Sequence, residues 1–434
     1  MFQYIPILIS LIILVFALNF IICFNLGGIR KNLLNFFTNF IFIFYLFLTP
    51  TVFYFKENYI AFEMDVKQYF GIGFLQILLH LIFYNIGYFI FIKWKRNDFD
   101  FTNIEIRVKN GLSIQNIIFI MFILFYVAIF INTLTVGINL IDVFLGNHGD
   151  PTMGLRGGSY YIQNLADSLI SIIVLSFFFK IKRGYFYCMI IFILPLFLIL
   201  GFRYRIILSF FGIFLVYIYD NKIKFKSFIK YVIIVVMAFY SLLLLTHNRY
   251  QIYMQQFDKL SYDISEFDTD IIFNQSRGSM IDFAVYQHIS NNKASIDFGE
   301  TNFGYIFIKM LPSFVFSNNT KPYPPPSFII IDDAINGTRD NGEAVTALGS
   351  MFISFYYPGI YLFAFLLGIV IAKLQNRFGK NYLSMVGSII ANLAIFQWIT
   401  RGYFPQEIDH LSYMLLPIGL ILIFAKQKGL KQLD

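Results

Sequence analysis

The chain has 434 residues, of which 58% are hydrophobic, 20% aromatic and only 13% charged, and its mean hydropathy is +0.67. A soluble domain carries about 25% charged residues, so too few charges are present to coat a water-soluble globule, and lipid is the solvent for most of the chain. The net charge of +8 follows from basic residues gathering in cytoplasmic loops. No basic run interleaved with aromatics occurs in a soluble segment, so nucleic acid is not an expected partner.

Apolar stretches long enough to cross a ~30 Å hydrocarbon layer recur along the chain. They predict spans at 3–25, 33–55, 69–92, 113–135, 162–179, 185–202, 204–220, 231–246, 350–372, 382–400 and 411–425. The first reads as a retained helix, because Arg30 and Lys31 follow it and no small-residue cleavage site is evident. Cys23 and Cys188 fall in apolar stretches and read as small buried hydrophobes, not disulfide partners. Between Tyr185 and Asp220 run 36 nearly unbroken apolar residues, roughly 54 Å as a straight helix. That is too long for one crossing, and basic clusters flank both ends. The segment is therefore expected to be a hairpin with its tip at Gly201-Phe202-Arg203-Tyr204-Arg205.

Alternate connections are basic: Arg30 and Lys31; Lys93 to Lys109; Lys180, Lys182 and Arg183; Lys222 to Lys230; Lys373, Arg377 and Lys380; Lys426 to Lys431. These are expected in the cytoplasm, with the C-terminus inside and the N-terminus outside. The expected fold class is all-α: a polytopic membrane protein of about eleven helices with one large periplasmic loop. It divides into an N-terminal transmembrane region (1–246), the loop (247–347) and a C-terminal transmembrane region (348–434). Within the loop, Met280–Ile289 and Gly304–Phe316 suggest short or interfacial helices, and Pro324-Pro325-Pro326 marks a turn. No internal repeat is visible.

Seven of the twelve arginines, namely Arg156, Arg203, Arg205, Arg249, Arg277, Arg339 and Arg401, fall on the outer side, while lysine dominates inside. Positive-inside bias predicts the reverse. Guanidinium groups hold phosphate by bidentate hydrogen bonds that ammonium cannot copy, so this set is a candidate site for a lipid-linked phosphate or pyrophosphate. Headgroup snorkelling or pairing with loop carboxylates accounts for an arginine taken singly. Glu343, in Arg339-Asp340-Asn341-Gly342-Glu343, stands at the entrance of the ninth span, where it can act as general base or hold an arginine; the same run also reads as a solvated turn. His247 and His410 sit at span ends, and histidine is a residue type suited to act as a base; His80 reads as a packed core histidine, and His148 as loop structure. Metal-ligand spacing is absent, and Asp268-Thr269-Asp270 is a chance match to an Asp-x-Asp metal motif. No nucleotide-binding glycine pattern occurs, so no cofactor or metal is expected.

This layout resembles the Wzy-type O-antigen polymerases, which join oligosaccharide repeat units of bacterial surface polysaccharide. The architecture is similar over most of the chain. Gly201-Phe202-Arg203-Tyr204-Arg205 looks like that family's Gly-x-Arg motif at a helix end. Arg277-Gly278-Ser279 looks like its loop arginine. Glu343, Gly349, Tyr356-Tyr357-Pro358-Gly359 and Gly368 look like its Glu…Gly…Tyr…Gly segment. No residue matches a family base. The resemblance implies a GT-C-like architecture in the bacterial inner membrane with the active site facing the periplasm. It implies undecaprenyl-pyrophosphate-linked oligosaccharide as substrate and undecaprenyl pyrophosphate as leaving group. It further implies arginines for charge stabilisation, Glu343 or His410 as base, and a chain-length regulator and a flippase as partners besides membrane lipids. Three alternatives stay open: an O-antigen ligase, which usually shows a clearer loop histidine; a transporter of lipid-linked oligosaccharide, which usually lacks the long loop and often has repeats; and a receptor or scaffold, which would not need buried charges near the outer face.

Overall fold

The computed structural model describes residues 2–93, 113–135, 160–199, 203–220, 278–311, 315–316, 321–322, 324–336, 344–379 and 382–424. In chain order the main helices are α1 (Ile5–Asn25), α2 (Leu33–Phe55), α3 (Phe70–Phe91), α4 (Ile114–Thr135), α5 (Tyr160–Phe178), α6 (Arg183–Ile199) and α7 (Arg203–Asp220). They continue with α8 (Gly278–Ser290), α9 (Tyr305–Met310), α10 (Pro326–Ile335), α11 (Ala347–Asn376), α12 (Tyr382–Arg401) and α13 (Phe404–Phe424). A two-stranded antiparallel hairpin, β1 (Ile60–Ala61) with β2 (Met64–Asp65), is the exception to an otherwise helical chain among the described residues.

Among the described residues, seven helical stretches are long and apolar enough to cross a membrane: those built on α1, α2, α3, α4, α11, α12 and α13. Three more of the eleven predicted spans are also helices, but smaller apolar ones. The apolar parts of α5 and α6 are Ile162–Phe178 and Arg183–Phe197, and α7 carries Arg203, Arg205 and Asp220. The eighth predicted span, 231–246, lies outside the described residues.

The chain forms two compact units. The first comprises Met1–Asn97, Phe273–Arg377 and Ala394–Asp409; the second comprises Asp98–Ile272, Phe378–Leu393 and His410–Asp434. In the first, α3 and α11 meet backbone to backbone. A Cβ on Gly87 would stand 2.1 Å from the Phe365 carbonyl oxygen, and one on Gly368 would stand 2.1 Å from that of Tyr84. Small residues permit such approach where no hydrophobic force drives helices together in lipid. α1, α2 and α3 are further joined by a neutral polar network. Asn35 donates from Nδ2 to Asn19 Oδ1 (3.0 Å) and accepts from the Tyr84 hydroxyl (2.7 Å) and Asn39 Nδ2 (3.0 Å). Asn19 donates to Asn85, and Asn32 accepts from the Tyr88 hydroxyl at 2.8 Å. Cys23 is buried in this network, and His80 is buried edge-on to Phe42 at 5.1 Å, the packed position its sequence context suggests. Part of α2, Phe42–Leu48, is π-helical.

The described part of the long loop is not a free domain. α8 is buried along almost its whole length, and its Phe283 ring lies against Gly73 of α3, where any Cβ would stand 2.0 Å from the ring. The predicted segment Met280–Ile289 is thus a helix packed onto the spans. The predicted segment Gly304–Phe316 starts at the last residue of a π-turn (Glu300–Gly304) and contains α9. Pro326 opens α10 at its first turn, where its missing N–H costs nothing.

α11 is not one straight span. Phe355 (φ −143°, ψ 17°) and Tyr356 (φ 59°, ψ −156°) interrupt it two residues before Pro358. The Ile353 carbonyl accepts instead from the Asp297 N–H at 3.0 Å. Asn302 grips the first half, donating from Nδ2 to Ser350 Oγ (2.9 Å) and Ser354 Oγ (2.8 Å). Backbone polar groups freed inside a span must find such partners.

In the second unit α5 is the central helix, packed by α4, α6 and α7. Gly212 of α7 lets Val174 approach; a Cβ there would stand 2.3 Å from Val174 Cγ2. The Tyr185–Asp220 stretch folds back as its length requires. α6 and α7 are separate helices, and Lys180 Nζ meets Asp220 Oδ2 at 2.9 Å, joining the two ends.

Candidate functional site

Asp167 sits in the middle of α5 with no exposed surface. A carboxylate buried in an apolar span is costly unless it is paired and hydrogen-bonded, and Asp167 receives three donors. Arg205 Nε donates to Oδ1 at 2.7 Å, the Tyr204 hydroxyl donates to Oδ1 at 3.1 Å, and His410 Nδ1 meets Oδ2 at 2.5 Å. Arg205 is itself only 2% exposed. Its guanidinium carbon lies 5.4 Å from the Tyr204 ring centroid, and the Tyr204 ring packs edge-on to His410 at 5.5 Å.

Three elements place these groups. Tyr204 and Arg205 lie in the first turn of α7, the second arm of the hairpin. Asp167 is flanked by Ser168 and Ser171. His410 lies in the second turn of α13, whose Pro417 cannot donate to the Tyr413 carbonyl four residues before it. Ser168 Oγ supplies that bond, donating to Tyr413 O at 2.6 Å, and Ser171 Oγ donates to Met414 O at 2.6 Å. The two serines fix the register of α13 on α5 one turn beyond His410, and so hold its imidazole on the Asp167 carboxylate.

A carboxylate only accepts, so Nδ1 carries a proton, and in the neutral form of the ring Nε2 is the acceptor or base. Nε2 is buried and has no hydrogen-bond partner among the described residues. Such an atom is where a proton, a substrate hydroxyl or a water would be expected. The arrangement has the logic of a carboxylate that orients a histidine and stabilises its imidazolium without itself taking the proton.

Two of the residues singled out in the sequence, Arg205 and His410, are therefore brought onto one carboxylate. Arg205 is committed to it through Nε instead of facing water as a phosphate clamp. Arg203 opens α7, and its side chain lies outside the described residues. Arg401 closes α12 and is exposed, in the other compact unit. Arg156, Arg249, Arg277, Arg339, Glu343, His148, His247, Asp268 and Asp270 lie outside the described residues. Sequence reasoning missed Asp167 and Tyr204. The available signal was that Asp167 is the one carboxylate in the interior of any predicted span, which marks a functional position by default.

The first unit holds a different buried carboxylate. Asp282 of α8 accepts the Thr346 N–H at 2.8 Å and the Thr346 hydroxyl at 2.5 Å, at the N-cap of α11. Gly349 makes room for it, since a Cβ there would stand 2.2 Å from Asp282 Oδ1. Burial pushes this carboxyl up to about 7, against the pull of its hydrogen bonds to Thr346 and Gly349. Gly349, Gly359 and Gly368 all serve close packing: a Cβ on Gly359 would meet the Met351 carbonyl oxygen at 2.6 Å.

Among the described residues no group of three or more His, Cys, Asp or Glu is placed to hold a metal ion. No protein-family model matches the chain, and neither a curated protein nor a solved structure matches it.

Proposed function

We propose that this chain is a multi-pass glycosyltransferase of the bacterial inner membrane. In this reading it polymerises undecaprenyl-pyrophosphate-linked oligosaccharide repeat units into O-antigen-type polysaccharide at the periplasmic face. The observation that carries the reading is His410, held through Nδ1 by a buried Asp167 that is also bound to Arg205, with Nε2 left as a base. His410 is the better-supported base than Glu343, because a carboxylate orients it. In the proposed step Nε2 takes the proton of an acceptor sugar hydroxyl. The hydroxyl oxygen bonds to the anomeric carbon of the donor chain. The bond from that carbon to the pyrophosphate oxygen breaks, and undecaprenyl pyrophosphate leaves with the electron pair. Arg203, at the start of the helix that carries Arg205, is assigned to the leaving pyrophosphate. Nε2 is enclosed in this conformation, so the acceptor reaches it through a movement of whatever covers it.

The test is polymer formation by the purified protein in nanodiscs, fed lipid-linked repeat unit alone. Length-resolved product from the wild type, lost in Asp167→Asn and His410→Gln, supports the reading. Full polymerisation by both variants refutes the base assignment.

A second reading is a transporter of lipid-linked oligosaccharide. It is favoured by the mid-span break of α11, a feature of helices that line transport sites. Deletion of the gene separates the two. Loss of long chains with one capped unit retained fits a polymerase, whereas loss of the capped unit with lipid-linked intermediate held on the inner leaflet fits a transporter.

A further inference from the structure

In the first compact unit, tyrosines gather where α11 is broken. Tyr356 and Tyr357 rings stand 4.5 Å apart, and both pack on Phe352, at 4.7 Å and 4.9 Å. Tyr286 of α8 packs on Phe352 at 4.6 Å and lies 6.4 Å from Tyr357. The hydroxyls of Tyr69 and Tyr361 lie close enough to Tyr357 to interact with it electrostatically. Tyr361 also donates to Gln76 Oε1 at 2.8 Å. Tyr356 is exposed at 36%, and Tyr69, Tyr357 and Tyr361 are half-buried. Tyr286 is wholly buried, and its hydroxyl has no hydrogen-bond partner among the described residues. The Asp282 carboxyl is within electrostatic range of that hydroxyl.

Two features separate this cluster from an ordinary belt of interfacial tyrosines. Tyr356 holds φ 59° and ψ −156°, a region that belongs almost to glycine alone and that collects at ligand clamps. The chain keeps a large ring where backbone geometry asks for none. Tyr286 lies on a loop helix, not on a span, and a buried hydroxyl unsatisfied by any described residue calls for a further partner. Rigid rings with polar tips, around one buried hydroxyl and one carboxyl, present apolar faces and hydrogen-bonding groups to the same ligand. A neutral polyhydroxylated ring, with C–H faces and hydroxyl edges, matches that chemistry, and the groups set against one another here among the described residues are rings, hydroxyls and one carboxyl, which disfavours an anionic headgroup.

We propose that Tyr356, Tyr357 and Tyr361 form the rim, and Tyr286 the floor, of a binding site for a neutral oligosaccharide. The glycan's identity as a polysaccharide repeat rests on the polymerase reading, whereas its chemical class rests on the tyrosines.

The experiment is saturation-transfer NMR on the full chain in nanodiscs. The probe is the oligosaccharide repeat released by mild acid from the producing cell's own surface polysaccharide, with glycerophosphoethanolamine as a second probe for lipid headgroup binding. Tyr356→Gly relaxes the strained backbone and removes one ring; Tyr286→Phe keeps the ring and removes the hydroxyl. The wild type is expected to saturate the oligosaccharide. Affinity is expected to weaken about tenfold in Tyr356→Gly and by a smaller factor in Tyr286→Phe, with melting temperatures showing both variants folded. Affinities within about twofold of wild type in both variants, no saturation of the oligosaccharide by the wild type, or saturation of glycerophosphoethanolamine instead, would each overturn the proposal. Binding is read without turnover. If polymer formation ignores His410 while glycan binding follows the tyrosines, the base assignment fails and this site stands. If binding ignores the tyrosines while polymer formation follows His410, this site alone fails.

Discussion

Two buried polar clusters in the spans differ in kind. The asparagine–tyrosine network of α1, α2 and α3 is neutral, and Asn35 satisfies it from several directions. The Asp167 cluster of α5, α7 and α13 combines a carboxylate, a guanidinium and an imidazole, and leaves His410 Nε2 without a hydrogen-bond partner among the described residues. A saturated neutral network specifies which helices meet and at what register. A charged cluster with an open acceptor does more than packing requires, because hydrophobic residues would fill the same space at less electrostatic cost.

The sharpest way to break this contrast is to remove the central charge. Asp167→Ala leaves Arg205 buried without its carboxylate and is expected to cost about 3–5 kcal/mol of stability, read as a fall in melting temperature, together with all activity. His410→Gln should leave the protein folded in the membrane. If the proposed polymerase reading holds, it should lower the rate of polymer formation by about 10²–10⁴-fold, the usual contribution of a positioned base. Gly368→Ala drives a methyl group into the Tyr84 carbonyl of α3 and is expected to destabilise by about 1–3 kcal/mol, measured by thermal unfolding. Asn35→Ala, in the neutral cluster, should cost about 1–2 kcal/mol and leave polymer formation intact. An Asn35 variant that is stable yet inactive would erase the distinction between the two clusters.

A separate effect is a pH slope. Asp282 has its carboxyl raised from 3.8 to about 7 by burial. Below about pH 4 it is protonated folded and unfolded alike, and its full contribution is present. As pH rises toward about 7 the unfolded chain ionises first, so stability declines and the contribution is lost once the folded group ionises. Thermal unfolding at pH 5 and pH 8 should show the wild type less stable at the higher pH, with a shallower difference in Asp282→Asn. Equal slopes would mean that the Thr346 hydrogen bonds outweigh burial.

Much of the architecture was legible because spanning helices are written in length and hydropathy alone. The hairpin between Tyr185 and Asp220 followed from a stretch too long to cross once. The burial of Cys23 and His80 followed from their apolar surroundings. Other features had no local signal. The break at Tyr356 arises because Asp297, Asn302 and the Gly359 approach hold the two halves of α11 from elsewhere in the chain, and periodicity reads through it as one helix. The loop helix α8 looked like surface structure, because its burial depends on α3 and α11. Arg205 and His410 were found as types of residue, but they were given separate duties, since nothing in spacing joins positions more than two hundred residues apart.

By itself, the sequence determined that this is a helical protein whose solvent is mainly lipid, where most of its spans begin and end, and that the stretch before Asp220 must turn back. Those properties depend on transfer of side chains from water and on chain length, which are local. Tertiary structure decided what the buried polar residues do. Asp167 became the centre of a site only when α7 and α13 brought a guanidinium and an imidazole within hydrogen-bonding distance. The cost of burying a charge is settled by its neighbours in space, and only the folded chain supplies them.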